Sequence, residues 1–195
     1  VAETDIEMGR TAAETCGCAH VTDFHDLLED VDAVTIAVPT SAHLAVAGDC
    51  LRAGLPVMVE KPIAGTLEDA AQLVDLADRQ NVVLQVGHVE RFNPAVRAVC
   101  NLELTPRFIQ ADRVSPMTFR SLDTSVVMDM MIHDLDIVLM LARSNIRKVD
   151  AAGVTVLGEH EDVANARIVF GNGCVANLTA SRLAMKTERK LRLVS

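Results

Sequence analysis

The chain has 195 residues, 50% of them hydrophobic, and a formal net charge of −9. That length buries a substantial core in one or two domains. No apolar run approaches the roughly 18 residues that span a bilayer, and no basic stretch precedes a short apolar segment with a cleavage site, so the expectation is a soluble, cytoplasmic protein. With 18 Lys and Arg against 27 Asp and Glu, no Trp or Tyr and only 5 Phe, nucleic acid is excluded as a partner. The cysteines Cys16, Cys18, Cys50, Cys100 and Cys174 are odd in number and offer only a C-x-C pair, which suggests neither a disulfide framework nor a zinc knuckle.

Residues 1–3 read as the end of a strand, so the chain is expected to begin partway through a domain. Residues 32–38 form a β-branched run ended by Pro39, and residues 41–53 read as a helix stopped by Gly54. A strand over 56–59 follows. Thr66 then caps a helix with Glu68 and Asp69 in its first turn and an apolar stripe of Leu67, Ala70, Ala71, Val74 and Ala77. Residues 82–86 are another strand, closed by Gly87. Apolar strands separated by helices of this length predict a doubly wound α/β domain, a parallel sheet covered on both faces.

The pattern changes after residue 88. A helix is expected over 93–103, a strand over 108–114, and a long helix over 124–142. Strands over 149–157, 164–170, 175–181 and 190–194 follow, and Gly171-Asn172-Gly173 is a hairpin signal. The last strand stops without an evident partner, and Lys186, Arg189, Lys190 and Arg192 read as its solvated face. The expected domains are therefore 1–88, partial and doubly wound, and 89–195, an α+β domain with an open, mainly antiparallel sheet that is incomplete at its end.

Three clusters carry chemistry. Pro39-Thr40-Ser41-Ala42-His43 lies at the carboxyl end of a parallel strand, the edge where open α/β sheets bind ligands, so Thr40 and His43 are placed to touch one. A helix cap followed by a surface histidine is the plainer reading. Glu60-Lys61-Pro62 ends the next strand at the same edge, where a lysine can donate to a reacting oxygen. Asp129, His133 and Asp136 share one face of an otherwise apolar helix, and an ionisable row in a buried helix needs partners or a function. An Asp–His pair that only satisfies itself and a metal-dependent lyase or hydrolase site are both open readings; no second cluster supplies further ligands, and no metal is assigned.

Taken in order, these clusters resemble the Gfo/Idh/MocA family of NAD(P)-dependent oxidoreductases. The segment from Val31 to His43 is similar to the family's third nucleotide-domain strand and loop, Glu60-Lys61-Pro62 to its E-K-P signature, and Asp129-x-x-x-His133 to the D-x-x-x-H of its second domain. The resemblance implies a Rossmann nucleotide domain without its first part, since no G-x-G-x-x-G occurs, and hydride transfer between a nicotinamide and a secondary alcohol of a sugar. His133 would be the general base, Lys61 would polarise the hydroxyl, and Asp129 would position His133 or the substrate. Glu3, Pro39, Thr40, His43, Glu60, Lys61 and His88 would contact the cofactor. An acid at position 3 favours NAD and would repel the 2′-phosphate of NADP. With Val86–Ala95, Phe119-Arg120 and Val126–His133, the likeness extends to members that oxidise the 3-position of UDP-N-acetylglucosamine, where Arg91, Arg113 and Arg120 would meet a diphosphate; surface arginines in ordinary ion pairs are the other reading. The implied partners are a sugar or nucleotide-sugar substrate and other copies of the chain, as dimer or tetramer. A non-catalytic binding relative is the remaining reading. Thr124-Ser125-Val126-Val127 replaces the family's usual glycine pair.

Overall fold

The computed structural model describes residues 1–118, 124–157 and 159–195. The chain divides into two compact units, Val1–Gly87 and His88–Ser195.

The first unit opens with Ala2 in a single parallel bridge to Val21. Helix α1 (Ile6–Cys16), absent from the sequence reading, starts where the Asp5 carboxylate accepts the Met8 N–H and ends at Gly17 in the left-handed region. Then follow β1 (Val34–Ile36), α2 (His43–Arg52), β2 (Val57–Val59), α3 (Leu67–Gln80) and β3 (Leu84–Val86). The strands pair in the order β1-β2-β3, all parallel. Thr66 caps α3 as expected, its hydroxyl accepting the Asp69 N–H. The stripe of α3 is rotated from the expected one: Leu73 and Ala77 are buried, while Leu67 and Val74 are exposed.

The parallel sheet with its crossover helices is the expected doubly wound pattern, and within the described residues α2 and α3 both pack on one face of it. Ile36, Val57 and Val59 pack with Ala47, Cys50 and Leu51 of α2 and with Leu73 and Ala77 of α3. Thr35 and Gln85 on the opposite face are exposed and Met58 is half-buried. Two successive right-handed crossovers running the same way along a sheet deliver both helices to one face. The polar middle residues of β1 and β3 agree with that one-sided burial.

The second unit contains α4 (Pro94–Cys100), β4 (Phe108–Val114), a π-helical turn (Val127–Met131), α5 (Ile132–Ala142), β5 (Ile146–Val154), β6 (Val163–Phe170), β7 (Val175–Ser181) and β8 (Glu188–Val194). Its sheet has the order β5-β6-β7-β4-β8. Only β4 and β7 run parallel. The last strand does have a partner, because β8 pairs with β4 over its whole length. The hairpin after Phe170 turns at Gly173, whose φ of 86° suits glycine. Alternate residues of β4, β6 and β7 are buried under α4, α5 and the π turn, giving a core of Ile109, Val126, Ile137, Val138, Phe170 and Leu178. Every β5 residue is exposed, and a groove of about 410 Å³ runs along that edge between Val127, Met131, Val149 and Ile168. Among the described residues no helix is long and apolar enough to cross a membrane.

Candidate functional site

The carboxyl ends of β1, β2 and β3 present three chain exits. Parallel pairing continues one residue past the strands, with the Glu60 N–H donating to the Ile36 carbonyl at 2.9 Å and the Gly87 N–H to the Val59 carbonyl at 2.8 Å. A Cβ on Gly87 would come within 3.1 Å of the Glu60 carboxyl group, so glycine there lets the carboxylate lie across the end of β3. The Lys61 N–H lies 3.3 Å from Glu60 Oε2, Lys61 is half-buried, and the peptide between Lys61 and Pro62 is cis.

His43 departs from the expectation that it touches a ligand. It is 1% exposed. Its Nδ1 lies 2.9 Å from the Pro62 carbonyl oxygen and 3.3 Å from that of Ile63, and its Nε2 lies 3.0 Å from the Val38 carbonyl oxygen. With both ring nitrogens against main-chain carbonyls, the imidazole ties the β1 exit to the Glu60-Lys61-Pro62 loop. The plainer reading of a helix cap followed by a surface histidine does not hold either, since no side chain caps the start of α2 and His43 is buried. Pro39 is exposed and Thr40 half-buried beside it, in a short 3-10 turn that leads into α2.

Glu3 is half-buried at the start of α1, where its Oε1 accepts the Asp5 N–H at 3.0 Å and the Thr4 hydroxyl at 3.3 Å. His20 packs over Gly9, and its Nε2 lies 2.8 Å from the Glu3 carbonyl oxygen. Within the first unit, the carboxylates of Glu3 and Glu60 have the chemistry to accept hydrogen bonds from ribose hydroxyls of a dinucleotide. The buried His88 Nδ1 has no hydrogen-bond partner among the described residues.

In the second unit, Asp129 sits in the π turn and His133 in the first turn of α5, both half-buried. The Ile132 N–H reaches back to the Val127 carbonyl, the five-residue step that defines the turn. Such turns insert one extra residue into a helix and recur at functional sites. Ser125 opens the helix, its hydroxyl accepting the Met128 N–H and its carbonyl the Asp129 N–H.

Asp136 does not join Asp129 and His133 as a ligand. Its carboxylate is held by Arg91, Nε to Oδ2 at 2.7 Å and Nη2 to Oδ1 at 2.5 Å. Among the described residues no group of three His, Cys, Asp or Glu is arranged to hold a metal ion. The Nε–Nη2 edge of the Arg91 guanidinium is thus spent on Asp136, the ordinary ion pair that is the other reading of this arginine, while its side chain stays 51% exposed. Hydrogen bonding to Asp136 raises the Arg91 pKa against the opposing effect of burial.

Arg113 is also structural: 6% exposed, it grips Asp134 through Nε at 2.8 Å and Nη2 at 2.9 Å and reaches Glu90 at 3.3 Å. Burial alone would lower its pKa, but Asp134 and Glu90 outweigh that and raise it. Burial likewise pushes the Glu90 carboxyl up, yet the Asn93 amide, Arg113 and Arg189 together hold it below the usual glutamate range. Sequence spacing gave no sign of these pairs, whose partners lie 21 to 99 residues apart. Arg120 lies outside the described residues.

A model described as "oxidoreductase family, NAD-binding Rossmann fold" matches residues 1–88, and one for the GFO/IDH/MocA C-terminal domain matches residues 105–194. UDP-N-acetylglucosamine 3-dehydrogenase of Acidithiobacillus ferrooxidans is 37% identical over 194 residues, which are 99% of this chain and 62% of that protein. Its crystal structure superposes with a TM-score of 0.95, covering 100% of this chain and 63% of that one. A dTDP-3,4-didehydro-2,6-dideoxy-alpha-D-glucose 3-reductase of Streptomyces violaceoruber is 32% identical over 88% of this chain and 58% of its own length. The chain thus spans about three fifths of the relatives it matches. With both domain models matched in order and the E-K-P and D-x-x-x-H clusters in place, the chain belongs to the Gfo/Idh/MocA oxidoreductase family.

Proposed function

We propose that the protein is an NAD-dependent dehydrogenase acting on a secondary alcohol of a sugar, with a UDP-amino sugar as the substrate class. One observation carries the reading: Glu60-Lys61-Pro62 stands at the ligand-binding edge of a parallel sheet, in a chain that also bears Asp129 and His133 at a π-to-α junction. Matches to both domains of an NAD-binding oxidoreductase family support it, as does the 37% identity to a UDP-N-acetylglucosamine 3-dehydrogenase.

In this reading Val1–Gly87 contributes to cofactor binding and His88–Ser195 to substrate binding and assembly. Bound NAD accepts the hydride. Glu3 takes the adenosine ribose, its charge disfavouring the 2′-phosphate of NADP. Pro39, Thr40, Glu60, Lys61 and His88 line the nicotinamide side, with His43 fixing the two loops behind them. His133 removes the hydroxyl proton as general base, a role that suits imidazole at neutral pH. Lys61 orients and polarises that oxygen, and Asp129 positions His133 or the substrate. The exposed apolar residues of β5, among them Val149 and Val154, support a homo-oligomer. A cytoplasmic location agrees with the cysteine content and with the helix lengths.

The test is NADH formation from UDP-N-acetylglucosamine by the full-length protein and its His133→Ala and Lys61→Ala variants. Each substitution is expected to lower kcat by about 10²–10⁴-fold with the fold unchanged. Undiminished turnover by His133→Ala would overturn the mechanism, and an inactive full-length protein that still binds NAD would favour the non-catalytic reading.

A further inference from the structure

At the end of the second sheet lies an ion pair that none of the chemistry above uses. Asp162 is 1% exposed and Arg182 is 6% exposed. Arg182 Nε stands 3.6 Å from Asp162 Oδ1, and the Arg182 N–H donates to the Asp162 carbonyl at 3.0 Å. The other carboxylate oxygen, Oδ2, accepts the N–H groups of Val156 and Leu157, each at 2.8 Å. Two buried charges cost several kcal/mol to desolvate, so their pairing by itself is weak evidence of a contribution to stability. What the pair adds is direction.

Arg182 Nη2 donates to the Thr124 carbonyl at 2.6 Å and approaches the Glu161 carbonyl at 3.4 Å. The Glu161 carbonyl in turn accepts the Val126 N–H at 2.9 Å. Thr124 and Val126 flank Ser125, whose carbonyl accepts the Asp129 N–H at 3.0 Å. The guanidinium therefore pins the residues from which the π turn departs, and Asp162 holds the guanidinium. The start of any helix leaves backbone N–H groups without intrahelical partners, so contacts made there set where the π turn begins.

We propose that Arg182, held by Asp162, is a positioning residue for Asp129: it clamps Thr124 and Glu161 and so sets where the π turn starts. The consequence for turnover rests on the dehydrogenase reading; the clamp itself does not.

The experiment compares the full-length protein with Arg182→Lys, which keeps the charge beside Asp162 but loses the planar fork. Amide exchange at Val126 and Asp129 is expected to quicken by roughly tenfold or more, while amides of β6 and β7 such as Ala166 and Leu178 keep their rates. Sugar oxidation is expected to lose kcat with KM unchanged. If Arg182→Lys does not fold, the double variant Asp162→Asn/Arg182→Met removes both charges together and is read in the same way. Unchanged exchange at Val126 and Asp129, or equal acceleration throughout the unit, overturns the proposal. Localised acceleration in a protein that shows no dehydrogenase activity even as wild type upholds the clamp and removes only the catalytic reading.

Discussion

The two units fix their functional groups by different means. In Val1–Gly87 the groups sit at strand ends and are held mainly by main-chain groups: the Glu60 and Gly87 amides extend the parallel ladder, and the one buried His43 ring lies between the carbonyls of Val38 and Pro62. In His88–Ser195 the helix bearing Asp129 and His133 is held by buried or partly buried charge pairs, Arg113 with Asp134 and Glu90, Arg91 with Asp136, and Arg182 with Asp162. Main-chain ties follow from topology and need little from any one side chain. Ion pairs drawn from distant strands and helices need every partner present, because a single deletion leaves a charge buried without compensation.

The largest test of that contrast is Arg113→Met. It strands Asp134 and Glu90 in the second unit and is expected to cost about 3–5 kcal/mol, a large fraction of the stability of a small domain. Urea unfolding followed by amide exchange should show the loss in α5 and β4 and spare α2 and β2. A uniform loss across both units would break the comparison. His43→Ala, the counterpart in the first unit, removes a buried ring and its carbonyl contacts. The expected cost is about 2 kcal/mol, confined to Val1–Gly87, with loosened exchange around Ile63.

A smaller effect comes from acid. The Glu90 carboxyl lies below its ordinary value when folded, so its contribution is fully present above the unfolded pKa of about 4.3 and is lost as pH falls through the lower folded value. The second unit should therefore lose urea resistance below about pH 4 sooner than the same unit carrying Glu90→Gln. Identical acid sensitivity in the two proteins would remove Glu90 from the network.

Much of the fold was legible because its signals are local. Thr66 with Asp69 and the Gly171-Asn172-Gly173 turn each act within a few residues and the expected elements beside them formed, while the helix expected over 93–103 formed over Pro94–Cys100. Helix α1 was missed although Asp5 and Gly17 bracket it, since it carries only a thin apolar face of Gly9 and Ala13. Burial was harder to read. The α3 stripe came out rotated because what selects Leu73 over Val74 is the direction in which α2 and the sheet lie.

Sequence alone determined the family, the order of the chemical clusters and the alternation of parallel and antiparallel segments, all of which depend on residues adjacent or at fixed spacing. Only the tertiary structure decided which charged residues are free to meet a ligand. Arg91 and Asp136 each looked available for chemistry until folding placed them 2.7 Å apart across 45 residues of chain. A buried charge takes whatever opposite charge the fold brings to it, and no local pattern records that choice.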